Sequence, residues 1–253
     1  LLLVSIRKQY KDFTLQDKGL WSFDAFKRRI QMQLQDSSQR EEILFAARAF
    51  ARLGYMHGFG HISIRTADGV LITPTRPPFL EQQPADVLRC DGNGQVQSGN
   101  AKGRPIEVFL HLGIYAARKD VHAICRTHAP HSSAVQSQQS VPPIRHGFGG
   151  IAETIAVHNE TDLIHNLEMG RRAAETLGTR DALIIRGNGA LTVGATVGQA
   201  AARMWSVEER CSFDKLTPDH AMSFSREELA ARKNWYEAES ERIWTWLQHL
   251  AKR

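Results

Sequence analysis

Residues 103–131, GRPIEVFLHLGIYAARKDVHAICRTHAPH, decide how the chain is read. Glu107 stands four residues before His111, and a strand-like run then ends in Thr127-His128-Ala129-Pro130-His131. Proline is tolerated in a first helical turn, so a helix is expected from about Pro105 to Arg118. Glu107 and His111 would share one of its faces, as would Ile106, Leu110 and Ile114. VHAICRTH predicts a strand, followed by a helix through Ala134. A carboxylate near clustered imidazoles is what a metal-assisted or acid–base enzyme needs. Arg126, inside that strand, argues against a simple metal centre: a guanidinium stays protonated and offers a cation no lone pair.

The flanking segments follow the same rules. Residues 1–37 are polar, mixed in charge and weakly periodic, and read as an N-terminal arm with one helix around Phe23 to Leu34. Ile43, Ala46, Ala47, Phe50 and Leu53 recur at helical spacing before Gly54. HISIRTADGVLITP predicts two strands around an Ala-Asp-Gly turn, with Thr75 to Pro78 as loop. Asp91-Gly92-Asn93-Gly94 predicts a hairpin. Residues 162–177 are expected to be helical with a stop at Gly178, ALIIRGNGALTVG strand–turn–strand, and Thr196 to Leu216 helical. Ser225 and Glu228 form a capping-box pattern that opens a last, Trp-rich helix. Strands and helices alternate without a GxGxxG or GxxxxGK[ST] pattern, which excludes Rossmann and P-loop readings.

With 253 residues, 42% hydrophobic, one large domain is expected. The net charge of +5 comes without a Lys/Arg block, so no nucleic acid is expected as partner. Cys90, Cys125 and Cys211 are far apart and match no disulfide or CxxC framework, as for reduced thiols in a cytoplasmic protein. Leu1-Leu2-Leu3-Val4 is too short for a signal core, and the missing initiator Met points to a trimmed N-terminus. No run reaches the roughly 20 apolar residues of a membrane span.

GHISIR, GVLITPT, PIEVFLHLGIYAARKDVHAICRTHAPH and RGNGALTVG occur in the order and spacing of the class II aldolase/adducin superfamily, which the chain resembles over about residues 40–215. The resemblance implies an α/β fold, three-layer α/β/α, around a mostly antiparallel central sheet. It implies a core domain over 38–217 and a helical tail over 218–253 that packs on the domain or on a neighbouring subunit. It also implies a homotetramer with active sites between subunits. Glu107 falls on the family's acid/base glutamate, and a carboxyl shielded by Val108, Phe109 and substrate is expected to have a raised pKa.

Metal-binding members use a His-x-His pair and a later His before a glycine. His128 takes the second place of the pair, whereas Arg126 and Asn188 stand at the other two. His131 and His146 are the expected replacement imidazoles, and a divalent zinc, manganese or iron would rest on His128 and His131. His61 and Pro105-Ile106 replace the asparagine and serines that hold phosphate in aldolase-type members, and this disfavours a sugar phosphate. Arg76, Arg104 and Arg126 suit a small acidic substrate instead, because guanidinium forks bind carboxylates. His61, Thr75, Arg76, Arg104 and Asn188 are therefore the expected substrate-binding residues, and Glu107, Arg126 and His128 the expected catalytic ones. The function implied is a carbon–carbon lyase, by decarboxylation or retro-aldol cleavage of a non-phosphorylated acid. Two alternatives stay open: a divergent biosynthetic enzyme (metal-free cyclase or isomerase, or iron-dependent oxygenase) and a non-catalytic, adducin-like scaffold.

Overall fold

The structure, a computed structural model, describes residues 23–218 and 220–253, with side chains from residue 34 onward. Helix α1 (Phe23–Arg52) is followed by strands β1 (His61–Arg65) and β2 (Gly69–Ile72), joined at the expected Ala67-Asp68-Gly69 turn. Next come β3 (Leu88–Asp91) and β4 (Val96–Ser98). The Asp91 carboxylate closes that hairpin by accepting the N–H groups of Asn93 and Gln95. Helix α2 (Val108–Ala117), β5 (Ala123–Thr127) and the single-turn α3 (Pro130–Ser133) make up the quoted stretch. β6 (Ile155–His158), α4 (Leu167–Leu177), β7 (Ala182–Ile185), β8 (Ala190–Gly194), α5 (Val197–Leu216) and α6 (Arg226–Ala251) complete the chain.

The eight strands form one sheet in the order β4-β3-β2-β1-β5-β8-β7-β6, antiparallel throughout except for β6 beside β7. Alternate side chains of a strand point to opposite faces, and both faces here are covered. Ile62, Ile64, Ala123 and Cys125 meet α1, α5 and the end of α6 in one apolar core. Val70, Ile72, Ile124, Leu191 and Val193 meet α2 and α4 in the other. This is the expected three-layer α/β/α arrangement. Helices α2 and α4 touch backbone to backbone: a Cβ on Gly113 would lie 2.3 Å from the Gly170 carbonyl, so only glycine fits.

Several boundaries differ from expectation. α1 is one helix over both expected ones, since Gln35 to Arg40 contains no Pro or Gly to break it. α2 begins at Val108 because Glu107, at φ −81° and ψ 21°, is still in a turn. α4 begins at Leu167, where the Asn166 side chain accepts the Met169 N–H as N-cap. β6 was not expected at all. In the tail, Ile243, Leu247 and Ala251 are buried in the first core, while Trp235 remains 64% exposed. The three cysteines are free and buried, and burial pushes their thiols up, that of Cys90 to about 11. Among the described residues no helix is long and apolar enough to cross a membrane.

Candidate active site

Strand periodicity assembles the site. His61 lies opposite Arg126 in the β1–β5 register, and both alternate away from Ile62 and Cys125, toward the α2 layer. Glu107, one residue before α2, meets them there. Arg126 is fully buried at the middle of the sheet, and Glu107 is 7% exposed. Arg126 Nη2 lies 3.4 Å from Glu107 Oε2 and also donates to the Asn188 carbonyl; Nη1 donates to the Thr127 carbonyl at 2.6 Å. The Asn188 side-chain amide donates to Glu107 Oε1 at 3.2 Å. His61 Nε2 faces Glu107 Oε2 at 3.6 Å, an electrostatic contact too long for a full hydrogen bond. His128 stands beside this group with its ring 5.7 Å from that of Phe59.

The electrostatics reverse one expectation. Burial alone would raise the Glu107 pKa, but His61 and the Arg126 guanidinium outweigh it and bring the carboxyl down to about 2. The raised pKa expected from apolar shielding is thus corrected, because the strongest neighbours are a cation and a polarised imidazole. Burial, helped by Arg126, lowers His128 to about 4, and His61 and His111 are lowered mainly by burial as well. At neutral pH the site is a carboxylate–guanidinium pair among neutral imidazoles.

Other expected residues lie elsewhere. His111 is not paired with Glu107 across a helix face; its ring reaches His61 and Ser63 instead. His131 shares no hydrogen bond or ion pair with the cluster: its Nδ1 and its backbone N–H both meet the buried Glu208 carboxylate at 2.8 Å. Thr75 and Arg76 are exposed, and the Thr75 hydroxyl donates to the Gly103 carbonyl. Arg104 donates to the Gly94 carbonyl and covers the Phe109 ring. A cavity of about 720 Å³ lies between α6 and the start of α5, lined by Tyr236, Trp244 and Gln199, and takes in none of the cluster.

A divalent ion does not fit these side chains. The guanidinium occupies the oxygens of Glu107, Thr127 and Asn188 that a cation would need. His131 is committed to Glu208. Among the described residues, no group of three or more His, Cys, Asp or Glu side chains is placed to hold a metal ion. Of the expected pair, His128 stands beside Glu107 and Arg126, and His131 stands at Glu208.

Ser63, Tyr115 and Phe59 join the site without having been singled out in the sequence. Ser63 carried a usable signal, since it sits two residues after His61 on one strand and so shares its face. Gly189 is a further requirement. Its φ is +77°, and a Cβ there would lie 2.3 Å from the Thr127 carbonyl and 2.8 Å from Arg126 Nη1. The left-handed backbone alone costs a non-glycine residue about 1–2 kcal/mol. Gly189→Ala is expected to lower stability by at least that amount and to disturb the Arg126 seat. Chemical denaturation with no change in midpoint would refute this.

Comparison with known proteins agrees with the fold. Over 184 residues the chain is 30% identical to the 4-hydroxy-3-prenylphenylpyruvate oxygenase/4-hydroxy-3-prenylbenzoate synthase of Streptomyces roseochromogenus subsp. oscitans, covering 70% of this chain and 66% of that protein. The chain thus spans just under two thirds of that relative's length. It is 26% identical over 196 residues to the 3,4-dihydroxyphthalate decarboxylase of Arthrobacter keyseri, covering 69% of this chain and 77% of that one. The aldolase II superfamily protein from Pseudomonas syringae superposes with a TM-score of 0.76 at 22% identity, over 89% of this chain and 96% of that one, which speaks to fold alone. Decarboxylases and aldolases are both among the relatives. The model of the class II aldolase and adducin N-terminal domain matches residues 41–214, well over half of the chain, and it is to this family that the chain belongs.

Proposed function

We propose that the protein is a carbon–carbon lyase acting on a small, carboxylated, non-phosphorylated substrate, by decarboxylation or retro-aldol cleavage, with Glu107 carrying the proton. The observation behind this reading is the nearly buried Glu107 carboxylate, held ionised by Arg126 and His61 beside a neutral His128. In the proposed step Glu107 takes the proton of a substrate hydroxyl as the carbon–carbon bond breaks. The electron pair stays on the carbon, and Glu107 returns the proton there; the departing group is carbon dioxide or a carbonyl compound. Arg126 supplies fixed positive charge next to the developing anion. A substrate carboxylate that draws on the same guanidinium weakens its hold on Glu107 and so raises the proton affinity of the base. The homotetramer, the 38–217 core domain and the 218–253 tail belong to this proposal, and light scattering tests the first.

The test is product analysis on a panel of hydroxylated aromatic and aliphatic acids, with sugar phosphates as the contrasting arm. Carbon dioxide or aldehyde release without oxygen consumption supports the reading. Turnover of sugar phosphates alone would overturn it. Oxygen uptake would favour the biosynthetic alternative, which the oxygenase/synthase relative brings forward. If His128 must be neutral to accept the substrate, kcat/KM should stay level on acidification until about pH 4, where His128 gains its proton, while Glu107 remains charged down to about 2. An acid limb centred near pH 6 to 7, the ordinary histidine range of roughly 6.5, would contradict it.

A further inference from the structure

Behind Glu107 a file of polar side chains runs into the core. His61 Nδ1 lies 2.6 Å from His111 Nε2, His111 Nδ1 lies 2.6 Å from Ser63 Oγ, and Ser63 Oγ lies 2.8 Å from the Tyr115 hydroxyl. All four residues are buried. The pattern is simple: His61 and Ser63 are two apart on β1, and His111 and Tyr115 are four apart on α2, so each pair shares a face. A buried polar file of this kind costs stability unless every member is satisfied, so it calls for a role.

Proton accounting gives the file a direction. An ionised Glu107 only accepts, and even at the 3.6 Å of an electrostatic contact its charge favours hydrogen on the His61 nitrogen that faces it. His61 Nδ1 must then accept, and His111 Nε2 must donate to it. His111 Nδ1 accepts in turn from the Ser63 hydroxyl. The Tyr115 hydroxyl closes the file against Ser63 Oγ or the carbonyls of Ser63 and His122, at 3.1 and 3.4 Å. The opposite direction would aim a lone pair of His61 at the Glu107 carboxylate. The file also has no exit among the described residues: the Tyr115 hydroxyl bonds only Ser63 Oγ and those backbone carbonyls, the Arg65 guanidinium covers the face of its ring, and burial pushes the phenol well up. It does not conduct protons; it orients an imidazole.

We infer that His111, Ser63 and Tyr115 are positioning residues that lock His61 as the Nε2–H tautomer, so that it presents a fixed donor to Glu107 and to the substrate oxygen that Glu107 works on. The catalytic half of this rests on the Glu107 reading above, whereas the tautomer needs only that Glu107 be ionised, not that it move a proton. Solid-state 15N spectroscopy of histidine-labelled protein, with His61 assigned from the signal lost in His61→Asn, reads the tautomer without substrate. The expected result is hydrogen on Nε2 and a bare Nδ1. His111→Gln keeps an amide donor where Nε2 stood and should preserve that signal, with kcat close to the parent's. His111→Leu should give a mixture of tautomers and a fall in kcat of about 10- to 100-fold at nearly constant KM. Tyr115→Phe, which changes no shape, serves should the leucine variant not fold, and should shift the signal in the same sense by less. A parent His61 protonated on Nδ1, or a leucine variant with unchanged tautomer and kcat, overturns the inference. An unchanged tautomer file in an enzyme whose turnover ignores Glu107 would instead count against the lyase mechanism alone.

Discussion

Glu107→Gln is expected to lower kcat by about 10²- to 10⁴-fold, the usual contribution of a positioned acid–base group. The replacement is nearly isosteric, so the loss reports chemistry and not shape. Every group around Glu107 is a donor: Arg126 Nη2, the Asn188 amide and His61. A glutamine must therefore turn its own NH2 toward one of them, and it also leaves the Arg126 charge uncompensated. A stability loss of about 1–3 kcal/mol should accompany the kinetic effect. Steady-state rates on the acid panel, measured well below the variant's melting point, separate the two. A variant that keeps a tenth or more of the parent's kcat would remove Glu107 from proton transfer, whereas a parent that turns over no acid of the panel would favour the scaffold alternative.

The fold was legible where local rules decide it. The Ala67-Asp68-Gly69 and Asp91-Gly92-Asn93-Gly94 turns, the Gly178 stop and the Ser225–Glu228 box all stand where their residues predict. β6 escaped because Ile155 to His158 is short and buried on both faces, so burial does not alternate along it, and its parallel partner β7 lies beyond a whole helix. At the site, the same division holds. Glu107, Arg126 and His128 lie within one stretch and were visible together. What sets the Glu107 pKa was not, because His61 comes from 46 residues earlier and Asn188 from 81 later. The three-residue delay in starting α2 has the largest consequence. It swings Glu107 off the His111 face and gives that histidine to the buried file.

Arg126→Met is expected to destabilise the protein by about 3–5 kcal/mol, the usual cost of stranding a buried charge by removing its partner. For a chain of this size that is a fall in Tm on the order of 10 °C. The dependence on pH identifies the cause. Glu107 is held at about 2 against an ordinary 4.5, so the stabilisation it draws from the pair is complete above about pH 4.5 and fades as pH falls through 2. In Arg126→Met the carboxylate has lost its cation, and its protonation relieves the strain. The gap between parent and variant should be widest near neutrality and close as acid neutralises Glu107. The double variant Glu107→Gln/Arg126→Met should recover part of the loss, since neither charge is left alone, with a coupling of about 0.5–3 kcal/mol for contacting groups. A gap that ignores pH, or a double variant as unstable as the two single losses added together, would mean that Arg126 serves only to fill space between β1 and β8. The arginine would then no longer account for the low pKa of Glu107. The argument for an anionic base at this site depends on that account.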